Sequence, residues 1–212
     1  MTAFSCIRYY FQTNRQMNDK VFLKLAKKFN TPEKVQKLIR SFKYNNELNG
    51  ETLKSAYETL KAKSAHCLEG ALLAAAILEH KGYPPLVMSL ESIDDLDHVI
   101  YVYQKNKKWG SVGCSRDTGL HGRKPQFRSL KDLAMSYYEP YIDKSGCITG
   151  YQVVNLYDIK SNWRFSDKNV WKVEQYLIDI RHHRLKFNKK RYQILFNKFQ
   201  SGLRIKKKSF WL

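Results

Sequence analysis

Cys67 and His98 are the two residues of this sequence whose types and surroundings suit covalent chemistry. Cys67 precedes an apolar stretch in which, from Leu68 to Leu78, only Glu69 is polar. At a helix start, unpaired N–H groups and the positive end of the dipole stabilise a thiolate, which is the reactive form of cysteine. His98 opens a later apolar run, and an imidazole is a suitable base for a thiol. The two residues therefore predict an activated cysteine nucleophile.

The stretch around Cys67 predicts a buried helix, because a helix that is apolar almost all round belongs inside a core. Ser64 is the expected N-cap, and Gly82, followed by two prolines, is the expected stop. Upstream, Thr31 and Pro32 supply a capping hydroxyl and a proline at the first helical position, which predicts another helix.

Beyond Gly82 the pattern changes to β-branched and aromatic runs of strand length. These runs predict strands at 86–90, 98–103, 109–113 and 151–156, the second and third forming a hairpin. Residues 114–128 are expected to form an irregular loop, and a capping box at 129–132 predicts a further helix. The predicted fold class is therefore α+β.

The order of thiol helix, histidine strand and tryptophan-bearing return strand resembles the transglutaminase-like branch of the papain-like cysteine enzymes. The match covers roughly residues 65–112, about a quarter of the chain, and its motifs are Cys67, the alanine-rich helix, Asp97-His98-Val99 and Trp109. The resemblance implies a papain/transglutaminase-like core in which the thiol helix packs on an antiparallel sheet. It also implies that Cys67 is the nucleophile, that His98 is its base, and that an acid or amide orients the histidine.

The third residue is not at its usual place in that family. The position four residues after Trp109 is Gly113, and no Asp-Pro follows it. Asp117, in the next loop, is the first candidate for orienting His98, and Ser111, on the same strand face as Trp109, is the second. With neither of them, the site is a dyad or is inactive.

Plainer roles stay open for the residues near Cys67. Free cysteine is among the most buried residue types, so Cys67 also fits a structural role, and His98 also fits a strand-end role. His66 either tunes the pKa of the thiol or, more simply, is an exposed neighbour. Glu69 is interpreted as a structural residue that caps the helix start or pairs with a loop cation.

No cofactor or metal is predicted. The other cysteines, Cys6, Cys114 and Cys147, are expected to be inert, and no C-x-x-C pair is present. A zinc site made of Cys67, His98 and Cys114 is the metal alternative, but these residues lack ligand spacing. The N-terminus has no basic region followed by an apolar core, so a cytoplasmic protein with reduced thiols is expected.

The basic charge of the chain is concentrated near its C-terminal end. The net charge is +19, and residues 180–212 hold eleven Lys or Arg and no Asp or Glu. Apolar residues recur at helical spacing after Trp171, which predicts a basic helical C-terminal extension at 161–212 beside an α+β domain at 1–160. Such a segment attracts nucleic acid or an anionic membrane surface, although a merely solvated end is an equally simple interpretation.

Two functions follow from these patterns. The first is a cysteine-dependent hydrolase or acyltransferase that acts on an amide, peptide or isopeptide bond of a protein or peptide substrate, through a thioester. The alternative is a catalytically inactive transglutaminase-like binding module whose basic C-terminus contacts nucleic acid or an anionic membrane.

Overall fold

Within the residues that the structure describes, a six-stranded antiparallel sheet carries helices on both faces. The structure is a computed structural model, and it describes residues 19–93, 98–117, 119–142, 146–186 and 188–202. The strands of this sheet are β3 (Leu86–Ser92), β4 (His98–Lys105), β5 (Lys108–Val112), β6 (Arg123–Phe127), β7 (Ile148–Asn155) and β8 (His183–Arg184). Their order is β6-β5-β4-β3-β7-β8. A short parallel pair, β1 (Lys43–Tyr44) and β2 (Ser64–Ala65), lies apart from it. The predicted α+β class is confirmed.

Several of the helices begin at a residue whose side chain caps them. They are α1 (residues 19–28), α2 (Pro32–Arg40), α3 (Ala56–Ala62), α4 (Cys67–Leu78), α5 (Leu130–Tyr141), α6 (Trp171–Asp179) and α7 (Lys189–Gln200). Thr31 caps α2 through a hydrogen bond from the Lys34 N–H, and Ser129 caps α5 through one from Asp132. Both predicted helix starts are confirmed, because a capping hydroxyl satisfies an N–H that the helix leaves unpaired.

The sheet separates two hydrophobic cores. Alternate residues of a strand point to opposite faces. In β4, Val99, Tyr101 and Tyr103 therefore belong to the core on the α4 side, and Ile100 and Val102 belong to the core on the α5 side. The predicted strand at 98–103 thus serves both cores, which explains why its sequence is continuously apolar.

The thiol helix α4 lies between the sheet and the helices α2 and α3. Every residue from Leu68 to Leu78 is buried, as its apolar composition predicts. The chain continues into a 3-10 turn and leaves it at Gly82, where φ is +80°, a backbone conformation that glycine adopts without strain. The N-cap is His66 and not the predicted Ser64, because Ser64 and Ala65 pair with β1.

The C-terminal segment packs on the same two cores as the rest of the chain. Trp163, Val173 and Leu177 are buried in the α4-side core, and Leu195 of α7 is buried in the α5-side core. Strand β8, which the sequence pattern did not predict, pairs with β7 at the sheet edge. The predicted extension therefore contains the expected helices α6 and α7, but no gap in the packing separates it from the preceding residues.

No helix in the described ranges is both long enough and apolar enough to cross a membrane.

Candidate active site

Cys67 is the first residue of α4 and is half-buried at the base of a cleft. The preceding strand β2 holds the chain extended, and the Asn45 N–H donates to the Ala65 carbonyl at 3.1 Å. At the helix start, the Glu69 carboxylate accepts a hydrogen bond from the His66 N–H at 3.0 Å. These contacts fix the point at which helical geometry begins, and they place the thiol in the first turn.

His98 begins β4 and is 4% exposed. The register of β3 and β4 pairs it with Leu90, at the end of the ladder. Its Nε2 lies 2.9 Å from the carbonyl oxygen of Leu120, and the imidazole is close enough to Cys67 to lower the pKa of its thiol. Because Nε2 faces Leu120, Nδ1 is the nitrogen left for the thiol. The structure therefore places the two predicted residues in the same cleft.

The surroundings of Cys67 favour a thiolate. Burial by itself raises the pKa of the thiol, but hydrogen bonds from His66 and His98 and the charges of both imidazoles outweigh burial. They lower the pKa of Cys67 from 9.0 to about 5. At neutral pH the sulfur is consequently ionised and nucleophilic.

His66 contacts the thiol from the other side and is not the exposed neighbour that the sequence favours. Its side chain is 12% exposed, and its Nε2 lies 3.0 Å from the carbonyl oxygen of Thr52 and 3.6 Å from Glu69 Oε1. Burial lowers the pKa of His66, but the hydrogen bond with Cys67 and the charges of Cys67 and Glu69 raise it to about 9. Two imidazoles therefore flank Cys67.

Glu69 is a fully buried carboxylate that joins the helix start to the loop before α3. Burial raises its pKa, but the charge of His66 and hydrogen bonds from Lys54 hold it below the ordinary value. Its other partners include the side chains of Asn45 and Thr52, the Lys54 N–H at 2.8 Å and the Lys54 ammonium at 2.8 Å. The structural role predicted for Glu69 agrees with these contacts, and the carboxylate also supports the charge on His66.

A main-chain carbonyl stands behind His98, and not the side chain of Asp117 or Ser111. Ser111 Oγ lies 2.7 Å from the Tyr137 hydroxyl and accepts a hydrogen bond from the Arg123 N–H at 2.9 Å. Asp117 is 38% exposed and pairs with Arg116 at 3.2 Å. With one imidazole nitrogen on Leu120 and the other on Cys67, neither predicted side chain orients the ring. The expected acid is thus replaced by a peptide dipole, which sequence patterns do not reveal.

The loop that carries Leu120 is anchored by the buried side chain of Gln36. The Gln36 amide donates to the Gly113 carbonyl at 2.8 Å and accepts from the Gly113 and Gly122 N–H groups at 2.9 and 3.0 Å. A Cβ at Gly122 would lie 2.2 Å from Gln36 Oε1, so this position requires glycine. Gly113 stands where an acid was expected, and its main-chain N–H and carbonyl help to hold the loop by bonding to Gln36.

Arg123, which follows the loop, also anchors it. Its guanidinium is buried, stacks on Tyr137 at 3.9 Å and donates to the carbonyls of Gly119, His121 and Gly122. Sequence reasoning missed Gln36 and Arg123, because a glutamine within a helix and an arginine after a loop are typical of exposed positions. The glycines at 113, 119 and 122 were the only available signal of a tightly bound loop.

The other described cysteines, Cys114 and Cys147, are buried. Cys114 Sγ donates to the Ala65 carbonyl at 3.3 Å, and burial raises the pKa of this thiol to about 12. Cys6 lies outside the described residues, as does Asp97. In the described part of the chain, no group of three or more His, Cys, Asp or Glu residues is arranged to hold a metal ion.

The cleft that exposes Cys67 has a volume of about 1760 Å³ and is lined by several parts of the chain. Its lining includes Tyr44, Glu47 and Glu51 as well as Cys67 and His98. The C-terminal segment also contributes to the lining, including Trp171 of α6 and Lys198 of α7. The segment predicted as a basic extension therefore helps to form the site. A cleft larger than most small-molecule pockets, which are ~300 to 1,000 Å³, has room for an extended ligand.

The sequence matches no protein-family model, and no curated protein sequence is significantly similar to it.

Proposed function

We propose that the protein is a cysteine-dependent hydrolase or acyltransferase that acts on an amide, peptide or isopeptide bond. The observation that carries this proposal is that Cys67, at a helix start, shares a cleft with His98, whose Nε2 is oriented by the Leu120 carbonyl and whose charge lowers the pKa of the thiol. A nucleophile, a base and a group that orients the base are the parts that covalent acyl transfer requires.

The proposed reaction begins when the Cys67 thiolate attacks the substrate carbonyl carbon, after His98 has taken the thiol proton. The carbonyl oxygen becomes an oxyanion, and the N–H groups of the first α4 turn are placed to stabilise it. Collapse breaks the C–N bond, and His98 gives its proton to the leaving nitrogen. Water or an amine then attacks the thioester while His98 accepts a proton, and release of the acid or the new amide restores Cys67.

The papain/transglutaminase-like architecture belongs to the same proposal. Three features support it: α4 packs against β4 in the α4-side core, His98 begins β4, and Trp109 lies in the return strand β5. A protein or peptide segment is the proposed substrate, because the cleft that Cys67 lines is larger than most small-molecule pockets. A reducing compartment such as the cytoplasm suits this chemistry, since the thiolate must stay unoxidised.

Alkylation at pH 6 tests the proposed nucleophile. An ordinary thiol is almost wholly protonated at this pH, whereas a thiol with a pKa of about 5 is mostly ionised. We expect iodoacetamide to modify Cys67 well before Cys114 or Cys147, as measured by peptide mass spectrometry. If Cys67 reacts at the rate of an ordinary thiol, and if the His98→Ala variant does not change that rate, the activated pair is excluded.

A generic acyl donor tests the covalent step. We expect p-nitrophenyl acetate to give a burst of p-nitrophenolate and an acetyl thioester on Cys67, both absent in the Cys67→Ser variant. Adding an ordinary primary amine to the acylated protein separates hydrolysis from transfer, because transfer yields the acetyl amide and hydrolysis yields acetate. A wild-type protein that forms no thioester would contradict the proposal.

The exposed cations of the C-terminal segment favour a second function, that of a binding module for nucleic acid or an anionic membrane. Lys186, Lys189 and Lys190 are exposed at and before the start of α7, and the lysine run at 206–208 lies outside the described residues. We expect binding to duplex DNA or to anionic vesicles to weaken steeply as salt rises. The absence of binding at low salt would eliminate this candidate.

A further inference from the structure

A second imidazole beside Cys67 is more than the proposed reaction requires. His98 suffices to take the thiol proton and return it, yet His66 directly precedes Cys67, lines the same cleft, and also lowers the pKa of the thiol. The two rings have the same pattern on their far side, since the Nε2 of each faces a carbonyl oxygen, that of Thr52 or Leu120. The two rings differ in the charged groups that lie near them.

The hydrogen-bond partners of His66 indicate which of its ring nitrogens carry a proton. A carbonyl oxygen is only an acceptor, so Nε2 of His66 carries a proton toward Thr52. The pKa of His66, raised to about 9 by Cys67 and Glu69, indicates that Nδ1 also carries a proton at neutral pH. The ring with both protons is an imidazolium, and its charge lies beside the Glu69 carboxylate, 3.6 Å from Nε2.

Glu69 gives this cation a partner that cannot easily become neutral. The carboxylate is fully buried and is held by main-chain and side-chain donors, including the Lys54 ammonium at 2.8 Å. A buried anion that is fully hydrogen-bonded favours cations around it. Behind His98, by contrast, the contact is a neutral peptide carbonyl.

The other ionisable groups that face the thiol reinforce this difference. Glu47, Glu51 and Glu174 line the cleft. Of these three, Glu174 interacts with His66, because burial raises the pKa of this carboxyl and the charge of His66 partly opposes the rise.

Neutral groups and one ion pair complete the surroundings of the thiol. Burial raises the pKa values of Tyr44 and Cys114, which therefore stay protonated beside Cys67. Arg116, on the wall of the cleft, is paired with Asp117. None of these groups competes with His66 for its proton.

We propose that His66 is a second catalytic histidine, a lasting imidazolium that holds the Cys67 thiolate, while His98 alone transfers protons. The inference rests on the proposed cysteine chemistry. When His98 then gives its proton to the leaving group, His66 remains charged beside the sulfur.

The pH profile of Cys67 alkylation in a His66→Gln variant tests this role. In the wild type we expect the rate to rise with a midpoint near pH 5. Glutamine keeps a polar side chain but removes the charge, so we expect the midpoint to rise by at least about one pH unit, a tenfold change in the ionisation constant. His80→Gln is the matched control, because His80 also lies beside a carboxylate, that of Asp19 at 3.3 Å, but outside the cleft. An unchanged midpoint in a folded His66→Gln protein would overturn the proposal.

NMR titration of the wild-type protein gives an answer even if that variant fails to fold. We expect the His66 ring to titrate near pH 9. We also expect its pKa to fall by at least about one unit in Cys67→Ser, since the coupling between two sites is reciprocal. A wild-type His66 that titrates near 6.5 would refute the lasting cation. Neither experiment uses a substrate, so failure of this inference is separate from failure to form a thioester.

Discussion

The two histidines beside Cys67 differ in what stands behind them. His66 lies near Glu69, a buried carboxylate, whereas His98 rests on the carbonyl of Leu120. A carboxylate holds a proton on an imidazole by full charge, and a carbonyl orients the ring by a dipole alone. The comparison teaches that one site can keep a fixed cation and a mobile proton side by side, because their supports differ in charge.

Removing the mobile base is expected to have the largest effect. In His98→Ala, hydrolysis of the acetyl thioester on Cys67 should slow by about 10² to 10⁴-fold, the usual contribution of general acid–base catalysis. The thiolate should persist, because His66 remains beside it. Burst kinetics with p-nitrophenyl acetate measure both steps. Equal deacylation rates in the variant and the wild type would show that the two histidines do not have separate roles.

Loosening the support of His98 is expected to have the next largest effect. Gln36→Ala removes three buried hydrogen bonds to Gly113 and Gly122, which should lower the free energy of unfolding by about 2 to 4 kcal/mol. The Leu120 carbonyl would lose its fixed position, so deacylation should also slow. Urea unfolding and burst kinetics give the two values.

Gln193→Ala is the control for Gln36→Ala, because Gln193 is exposed on α7 and bonds only locally to Asn197 among the contacts described. It should change the free energy of unfolding by no more than about 0.5 kcal/mol. Similar losses in the two variants would mean that Gln36 is not an anchor.

The ion pair of Cys67 and His66 should appear in the pH dependence of stability. Between pH 5 and 6.5, the unfolded chain binds both protons, but the folded thiol, with a pKa of about 5, has lost one. The free energy of unfolding should therefore rise with pH across this window, by about 2 kcal/mol in all. Between about pH 6.5 and 9 each state holds one proton, the unfolded chain on the thiol and the folded protein on His66, so the contribution is flat.

Urea unfolding of the wild type and of Cys67→Ser at pH 5, 6.5 and 8 measures this contribution. The difference between the two proteins should grow from pH 5 to 6.5. A difference that is the same at pH 5 and at pH 6.5 would argue against an ionised thiol in the folded protein.

Replacing the acid that sequence reasoning favoured is expected to have the smallest effect. Asp117 is 38% exposed and pairs with Arg116, which is 71% exposed, and such surface pairs contribute about 0 to 1 kcal/mol. We expect Asp117→Asn to leave the deacylation rate within about twofold of the wild type, since the Leu120 carbonyl orients His98. A tenfold slower deacylation would indicate that the Asp117 side chain, and not the Leu120 carbonyl, orients His98.

Local patterns predicted much of the fold because the relevant forces act over a few residues. The capping residues Thr31 and Ser129 and the strand that begins at His98 were all identifiable from neighbours in sequence. Strands β6 and β8 were missed, because each is short and polar and owes its conformation to pairing with a distant strand.

By itself, the sequence determined that Cys67 begins a buried helix and that His98 begins a strand, since composition and periodicity specify both. Only the tertiary structure decided that they meet, that His66 joins them, and that a carbonyl replaces the expected acid. The reason is physical: every residue has a main-chain carbonyl, so no residue type marks the one that orients a histidine. The position of the Leu120 carbonyl depends on two side chains that hold its loop. Gln36, which is distant in sequence, bonds to Gly122, and Arg123 bonds to Gly119.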